Sequence, residues 1–264
     1  MVAIKKENEM SIIVTGAAMG IGEAVALKSA AEGKKLVLID RAEEELKTLK
    51  EKIISEGGDV EIIIGSVVDP DVAERAVEVA LSRFGRIDGL SHNAGIQRYG
   101  SALTTTDELW DEVININLKS AFILSRAVLP ELIKTKGAIV MMASVQGLAT
   151  QNDVAAYTTS KHGLIGLTKS IAIDFAKYNV RANAVAPGSV DTPMLRNAVA
   201  LSDAPEKVMN TINAMHPLGR SAKASEVAEL VCFLLSGRAS FITGEVVKVD
   251  GGLLTQIAGS PTDD

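Results

Sequence analysis

An apolar run, Ser11-Ile12-Ile13-Val14, leads directly into Thr15-Gly16-Ala17-Ala18-Met19-Gly20-Ile21-Gly22 and then into a stretch of helix-forming residues. A strand that passes through a glycine turn into a helix begins a βαβ unit, and such a unit closes only when another parallel strand is laid beside the first. The same rhythm continues to the end of the chain. Short apolar runs near 11–15, 36–39, 60–64, 88–91, 138–143, 180–186 and 246–249 alternate with longer segments of helical pattern. Seven such runs predict an α/β fold, a doubly wound, seven-stranded parallel sheet with helices on both faces. At 264 residues and 47% apolar content the chain suits a single domain spanning 1–264. The stretch from Thr192 to Ser221, with Pro193, Pro205 and Pro217, breaks the rhythm and shows no strong strand pattern. A loop of that length in a compact domain is commonly functional, or it is an ordinary surface excursion. A short helix is expected around Pro205 to Met215.

The glycine spacing suits an anion. Gly16 can make a tight turn, Gly20 lets backbone approach a diphosphate, and Gly22 lets helix pack on strand, while the helix N-terminus offers free amides. Glycines alone would equally serve only the turn. The second apolar run ends at Asp40, eighteen residues after Gly22, where a carboxylate can accept hydrogen bonds from an adenosine ribose. It would also repel a 2′-phosphate, which favours NAD over NADP. Asp40 could instead cap the following helix, whose Glu43-Glu44-Glu45 favour its N-terminus.

Tyr157 and Lys161 stand four residues apart in a helical run and so face one side of it, with Ser144 at the end of an earlier apolar segment. A free phenol titrates near ~10, and an ammonium one turn away favours its phenolate. Without a cofactor site elsewhere, the pair would read as neighbours on a solvated helix face.

Thr15-Gly-x-x-x-Gly-Ile-Gly22, Asn93-Ala94-Gly95, Asn117, Ser144, Tyr157-x-x-x-Lys161 and Pro187-Gly188 together resemble the short-chain dehydrogenase/reductase family in order and spacing, from about Ser11 to Gly252. The resemblance implies a Rossmann-like fold and a nicotinamide cofactor held by Gly16, Met19, Gly20, Ile21 and Gly22, with Asp40 and Arg41 at the ribose. A basic residue where Arg41 stands often accompanies NADP in this family; Asp40 is weighted above it because Arg41 can swing into solvent. Ser66 and Val67 would lie near the adenine, Ser66 standing where an acidic residue is usual, and Asn93, Ala94 and Gly95 would lie along the adenosine side. His92 replaces a more usual asparagine and reads as a structural group. Pro187, Gly188, Val190 and Thr192 would face the nicotinamide end, Thr192 either bonding the carboxamide or forming a turn, and 192–221 would be the substrate flap. By the same resemblance Tyr157 takes the substrate hydroxyl proton, Lys161 lowers the tyrosine pKa and holds the nicotinamide ribose, and Ser144 bonds the reacting oxygen. Asn117 would support a water linking the lysine to solvent. The plainer readings are a helix cap for Ser144 and a helix irregularity for Asn117. The helices near 107–130 and 154–177 would pair across subunits in a homotetramer.

A net charge of −6, with basic residues interspersed among acidic ones, argues against nucleic acid as a partner. No apolar run reaches the ~18 residues of a membrane span. The polar opening residues lack the core of a secretory signal, so a cytoplasmic location is expected. The tail Ala258–Asp264 reads as frayed, no metal site is expected, and Cys232, the single cysteine, sits in an apolar helical run that favours burial. Gln97, Arg98, Gln146, Gln151, Asn152 and His216 are expected near the mouth of the site, a polar set suited to a sugar or polyol, although each could face solvent. The alternatives are an NADPH-dependent 3-oxoacyl thioester reductase and, in another class, a non-catalytic nucleotide-binding regulatory protein.

Overall fold

The computed structural model describes residues 9–256. The strands are β1 Ser11–Thr15, β2 Lys35–Asp40, β3 Val60–Ile64, β4 Gly89–His92, β5 Ala138–Met142, β6 Arg181–Pro187, the two-residue β7 Val190–Asp191 and β8 Ala222–Lys223, and β9 Val246–Val249. The helices are α1 Gly20–Ala31, α2 Glu43–Ser55, α3 Pro70–Phe84, α4 Asp107–Ile114, α5 Ser120–Thr135, α6 Ala155–Phe175, α7 Pro193–Val199, α8 Pro205–Ala214 and α9 Ala224–Leu235. Seven strands form one sheet in the order β3-β2-β1-β4-β5-β6-β9, parallel at every pairing, while β7 and β8 pair separately.

Successive side chains on a strand point to opposite faces, so each strand must be apolar on both sides when helices cover both. Ile12, Val14, Leu36 and Leu38 pack with Val25, Leu46, Leu49, Val227 and Val231 of α1, α2 and α9. Ile13, Val37 and Ile39 turn the other way, onto Val72 and Ala76 of α3, with Leu124, Val128 and Leu164 of α5 and α6 in the same layer. Cys232 belongs to the interior of α9, fully buried beside Ser29. Chain order reverses between β1 and β4, and the crevice beyond the carboxyl ends of such strands is where doubly wound sheets bind ligands.

Three local features depart from expectation. The helical stretch expected at 107–130 is broken by a π-helical turn, Asn115–Lys119, and resumes past Pro130 to Thr135. Pro130 costs one backbone bond, which burial of Val128, Leu129 and Leu132 outweighs. The segment 192–221 has the helix expected around Pro205 to Met215 as α8, but it also contains α7 ahead of it and is bracketed by the pairing of β7 with β8. The opening segment through Asn8 and the tail Ala258–Asp264 lie outside the described residues.

Candidate active site

The glycine turn is shaped by what surrounds it. Gly16 adopts φ +61°, and a Cβ there would lie 2.8 Å from both the amide nitrogen and the Cα of Ala94. Gly20 adopts φ +64° and faces the Thr192 methyl, while a Cβ on Gly22 would lie 2.0 Å from the Gly16 carbonyl oxygen. Met19, which precedes α1, offers no side-chain cap, so the first amides of the helix are left to an anion. Thr15 Oγ1 accepts the amides of Asn93 and Ala94 at 3.1 and 3.2 Å, and the Asn93 carboxamide donates to Thr15 O and Ser91, so its backbone is what borders the crevice. The residues present fit a dinucleotide: two left-handed glycines, uncapped helix amides, and a carboxylate at the end of the neighbouring strand.

That carboxylate, Asp40, accepts the Ala18 amide through Oδ2 at 3.0 Å, tying the glycine turn to β2. Its Oδ1 accepts the Arg41 and Ala42 amides at 2.7 and 3.1 Å, ahead of α2. Four acceptor positions on a carboxylate leave capacity for a further donor. Arg41 is exposed beside it, Ser66 is exposed just after β3, and Val67 is buried.

β5 delivers Ser144, and α6 presents Tyr157, Ser160 and Lys161 on its buried face. Ser144 Oγ accepts the Gln146 amide at 3.1 Å, so it does cap a short helical turn, and its hydroxyl is also hydrogen-bonded to Tyr157. Lys161 Nζ donates to Met142 O at 2.7 Å and lies 5.4 Å from the Tyr157 ring centroid. Burial pushes the Tyr157 phenol up to about 12, against the pull of the Ser144 hydrogen bond. Burial also pulls Lys161 down to about 8. The expectation that the lysine would hold the phenol below its usual range is therefore not met, because burial dominates the phenol and only the Ser144 hydrogen bond opposes it. Asn117 sits within the π-helical turn, as the plainer reading had it, yet its carboxamide is fully engaged. Oδ1 accepts the Ile96 amide at 2.8 Å, and Nδ2 donates to Ile96 O at 2.9 Å and Ser160 Oγ at 3.0 Å. Gly95 passes between Asn117 Oδ1 and Lys161 Nζ, which lie 3.4 and 3.5 Å from where its Cβ would stand.

Ser144, Tyr157 and Lys161 line a cavity of about 400 Å³ that also takes in Ile21, Asn93, Gly95, Pro187, Gly188, Val190 and Thr192. Gln97, Gln146 and Gln151 are in its wall, and the Gln146 Oε1 is buried with no hydrogen-bond partner among the described residues. Three of the polar residues expected there are elsewhere. Arg98 is locked onto Glu112 at 2.9 and 3.1 Å, Asn152 is exposed outside the wall, and His216 is only 2% exposed. His216 accepts the Ser189 amide on Nε2 at 3.1 Å and bonds Ile212 O through Nδ1 at 2.8 Å, bracing the loop after β6 against α8. Sequence position cannot separate these cases, because an ion pair between Arg98 and Glu112 spans two elements. The flap and the segment after β9 line the cavity with apolar side chains: Met194, Leu195, Val199, Val208, Ile212, Met215, Leu253 and Leu254. Val208, Ile212 and Met215 fall on one stripe of α8, a helical spacing visible in the sequence, but the stripe lines a cavity rather than the core.

The family model described as enoyl-(acyl carrier protein) reductase matches residues 16–254. The chain is 40% identical over 243 residues to a 3-oxoacyl-[acyl-carrier-protein] reductase of Thermotoga maritima, covering 92% of this chain and 96% of that one. It is 36% identical over 248 residues to the levodione reductase of Leifsonia aquatica, covering 91% and 92%. Among solved structures, the ligand-free aldohexose dehydrogenase of Thermoplasma acidophilum superposes with a TM-score of 0.89 at 35% identity, covering 99% of this chain and all of the other. A levodione reductase structure superposes with a TM-score of 0.91 at 34% identity, covering 94% and 99%.

Proposed function

The chain belongs to the short-chain dehydrogenase/reductase family, oxidoreductases that act on alcohol and carbonyl groups with nicotinamide cofactors, and from that premise we propose that it interconverts a small hydroxylated alcohol, of the sugar or polyol kind, and its carbonyl with NAD(H). One observation carries this reading. Ser144, Tyr157 and Lys161 meet in the same cavity that receives Gly95, Gly188 and Thr192 from the strand ends around the glycine turn.

When bound, the nicotinamide supplies the hydride acceptor or donor. Gly16, Gly20, Gly22 and the α1 amides would hold its diphosphate, and Asp40 the adenosine ribose. Asn93, Ala94 and Gly95 would border the adenosine side; Pro187, Gly188, Val190, Thr192 and Lys161 would border the nicotinamide end. A carboxylate at Asp40 accepts ribose hydroxyls and repels a 2′-phosphate, which favours NAD. In this assignment Tyr157 Oη exchanges a proton with the substrate oxygen and Ser144 Oγ donates to that oxygen as charge develops on it. Lys161 keeps positive charge at the phenol. Asn117 sets the position of Ile96 and Ser160 around them. With its phenol raised to about 12, Tyr157 carries its proton at neutral pH and can deliver it to a forming alkoxide. Oxidation needs the phenolate, so alcohol oxidation should accelerate as pH rises while carbonyl reduction falls.

The glutamines lining the cavity supply hydrogen bonds to hydroxyl groups, in keeping with the similarity to an aldohexose dehydrogenase. The apolar flap wall favours a second reading, an NADPH-dependent 3-oxoacyl thioester reductase, as does the similarity to the Thermotoga maritima enzyme. Following absorbance of the reduced nicotinamide with a panel of sugars, polyols and 3-oxoacyl thioesters, with NAD(H) and NADP(H), separates the two. The first reading expects turnover of hydroxylated substrates with NAD, a preference that Asp40→Ala narrows, and a loss of at least ~10²-fold in Tyr157→Phe with cofactor affinity kept. Preference for NADPH and thioesters replaces it with the second; near-normal turnover by Tyr157→Phe refutes the assigned chemistry of both. The proposal includes self-association, a second copy covering Trp110 and Phe122 on α4 and α5 and Ile173 on α6 in a homotetramer.

A further inference from the structure

Three buried polar side chains run across the sheet beneath the site: Thr15 at the end of β1, His92 at the end of β4 and Ser120 at the start of α5, at 0%, 1% and 0% exposure. Thr15 Oγ1 lies 3.0 Å from His92 Nδ1, and Ser120 Oγ lies 3.1 Å from His92 Nε2. Ser120 Oγ donates its one proton to Ile116 O at 2.6 Å, so toward the imidazole it must accept. His92 therefore carries its proton on Nε2. Nδ1 then accepts from Thr15, whose oxygen is left to accept the Asn93 and Ala94 amides. The reverse tautomer would crowd three donors onto Thr15 Oγ1 and leave the Thr15 proton with no acceptor.

We propose that His92 is a positioning residue, a neutral Nε2–H imidazole linking the glycine turn to the π-helical turn that carries Asn117. The proposal rests on the assignment of cofactor and catalytic residues made above. At one end, Thr15 holds the Asn93 and Ala94 amides, and Ala94 is the backbone against which Gly16 packs. At the other, Ile116 precedes Asn117, whose carboxamide fixes Ile96 and the Ser160 hydroxyl one residue from Lys161. Cofactor cradle and catalytic helix are thus set by one directed hydrogen-bond chain. A protonated imidazole would present a donor to Thr15 and break it. Burial and then the charge of Lys161 hold His92 down to about 3, keeping the chain intact through the neutral range.

The test begins on the resting protein, independently of any substrate. Nitrogen-15 spectra of the three histidines, with His92→Gln assigning the signal, should show His92 protonated on Nε2 only and unchanged down to pH 5. Glutamine offers an acceptor and a donor in similar relation, so His92→Gln should keep NAD(H) affinity and kcat within about threefold. His92→Leu should weaken NAD(H) binding and lower kcat by about tenfold each, and Thr15→Val with Ser120→Ala should lose less than the product of the single losses. A proton on Nδ1, titration above pH 5, or a folded His92→Leu with unaltered cofactor affinity and kcat would overturn the proposal. If the unaltered protein bound no nicotinamide dinucleotide, the proposed function would fall, and the tautomer measurement would still decide the link.

Discussion

Lys161 shows why spacing and energetics must be read separately. Four-residue spacing from Tyr157 was enough to place both side chains in one site, because helix geometry is local. Their ionisation was not legible, because it depends on the sheet and flap that dehydrate them. The sign of the effect on stability follows from the direction of the shift. The unfolded lysine titrates near 10.5 and the folded one near about 8, so between these values the unfolded chain binds more protons and stability rises with pH. Below about pH 8 the full penalty applies, on the order of 3 kcal/mol, partly offset by the bond to Met142 O. Lys161→Met should therefore be more stable than the parent at pH 7 by about 1–2 kcal/mol, with the margin closing toward pH 10. Urea unfolding at both pH values measures this; a margin that does not move with pH would contradict it. The same limit explains Arg98 and His216, whose partners Glu112 and Ser189 lie on segments that only folding brings near.

At the scale of elements, the seven strands of the main sheet were legible to within a residue or two, since each is a short run rich in apolar residues set between longer helical patterns, while the two-residue β7 and β8 left no such run. The π-helical turn was legible only through Asn117, read as a helix irregularity, because one extra residue in a helical turn leaves no periodic trace in so short a stretch. The junction of β1 with α1 can be tested by adding one methyl group. Alanine favours helix over glycine by about 1 kcal/mol. In Gly22→Ala the new Cβ would meet the Gly16 carbonyl oxygen at 2.0 Å, a backbone atom that cannot rotate away. Overpacking of this kind costs about 1–3 kcal/mol, so the clash should win and lower the thermal midpoint by several degrees. An unchanged or higher midpoint would mean that α1 can shift without loss.

For the whole molecule, the doubly wound topology follows from alternation of strand and helix, and strand order decides where chemistry gathers. Gly16 and Asn93 become neighbours because β1 and β4 are adjacent while β2 and β3 lie on the other side of β1. Whole-molecule shape also leaves large apolar side chains in solvent: Trp110 at 37%, Phe122 at 48% and Ile173 at 78% exposure, with Phe241 fully exposed in the loop before β9. Large exposed apolar side chains mark contact surfaces where they adjoin in one patch. The proposed self-association predicts a mass several times that of one chain by light scattering at micromolar concentration, reduced by Phe122→Asp. A monomeric mass for the unaltered protein would remove it.

From its residues alone this chain was committed to a parallel sheet, a glycine turn at Gly16 to Gly22 and a tyrosine and a lysine on one face of a helix, because apolar periodicity and residue spacing express geometry over a few residues. Folding decided the rest: the raised phenol, the single tautomer open to His92, and a cavity lined by both glutamines and the apolar side chains of the flap. Dehydration, hydrogen-bond direction and cavity shape depend on which distant segments meet, and no local pattern encodes that.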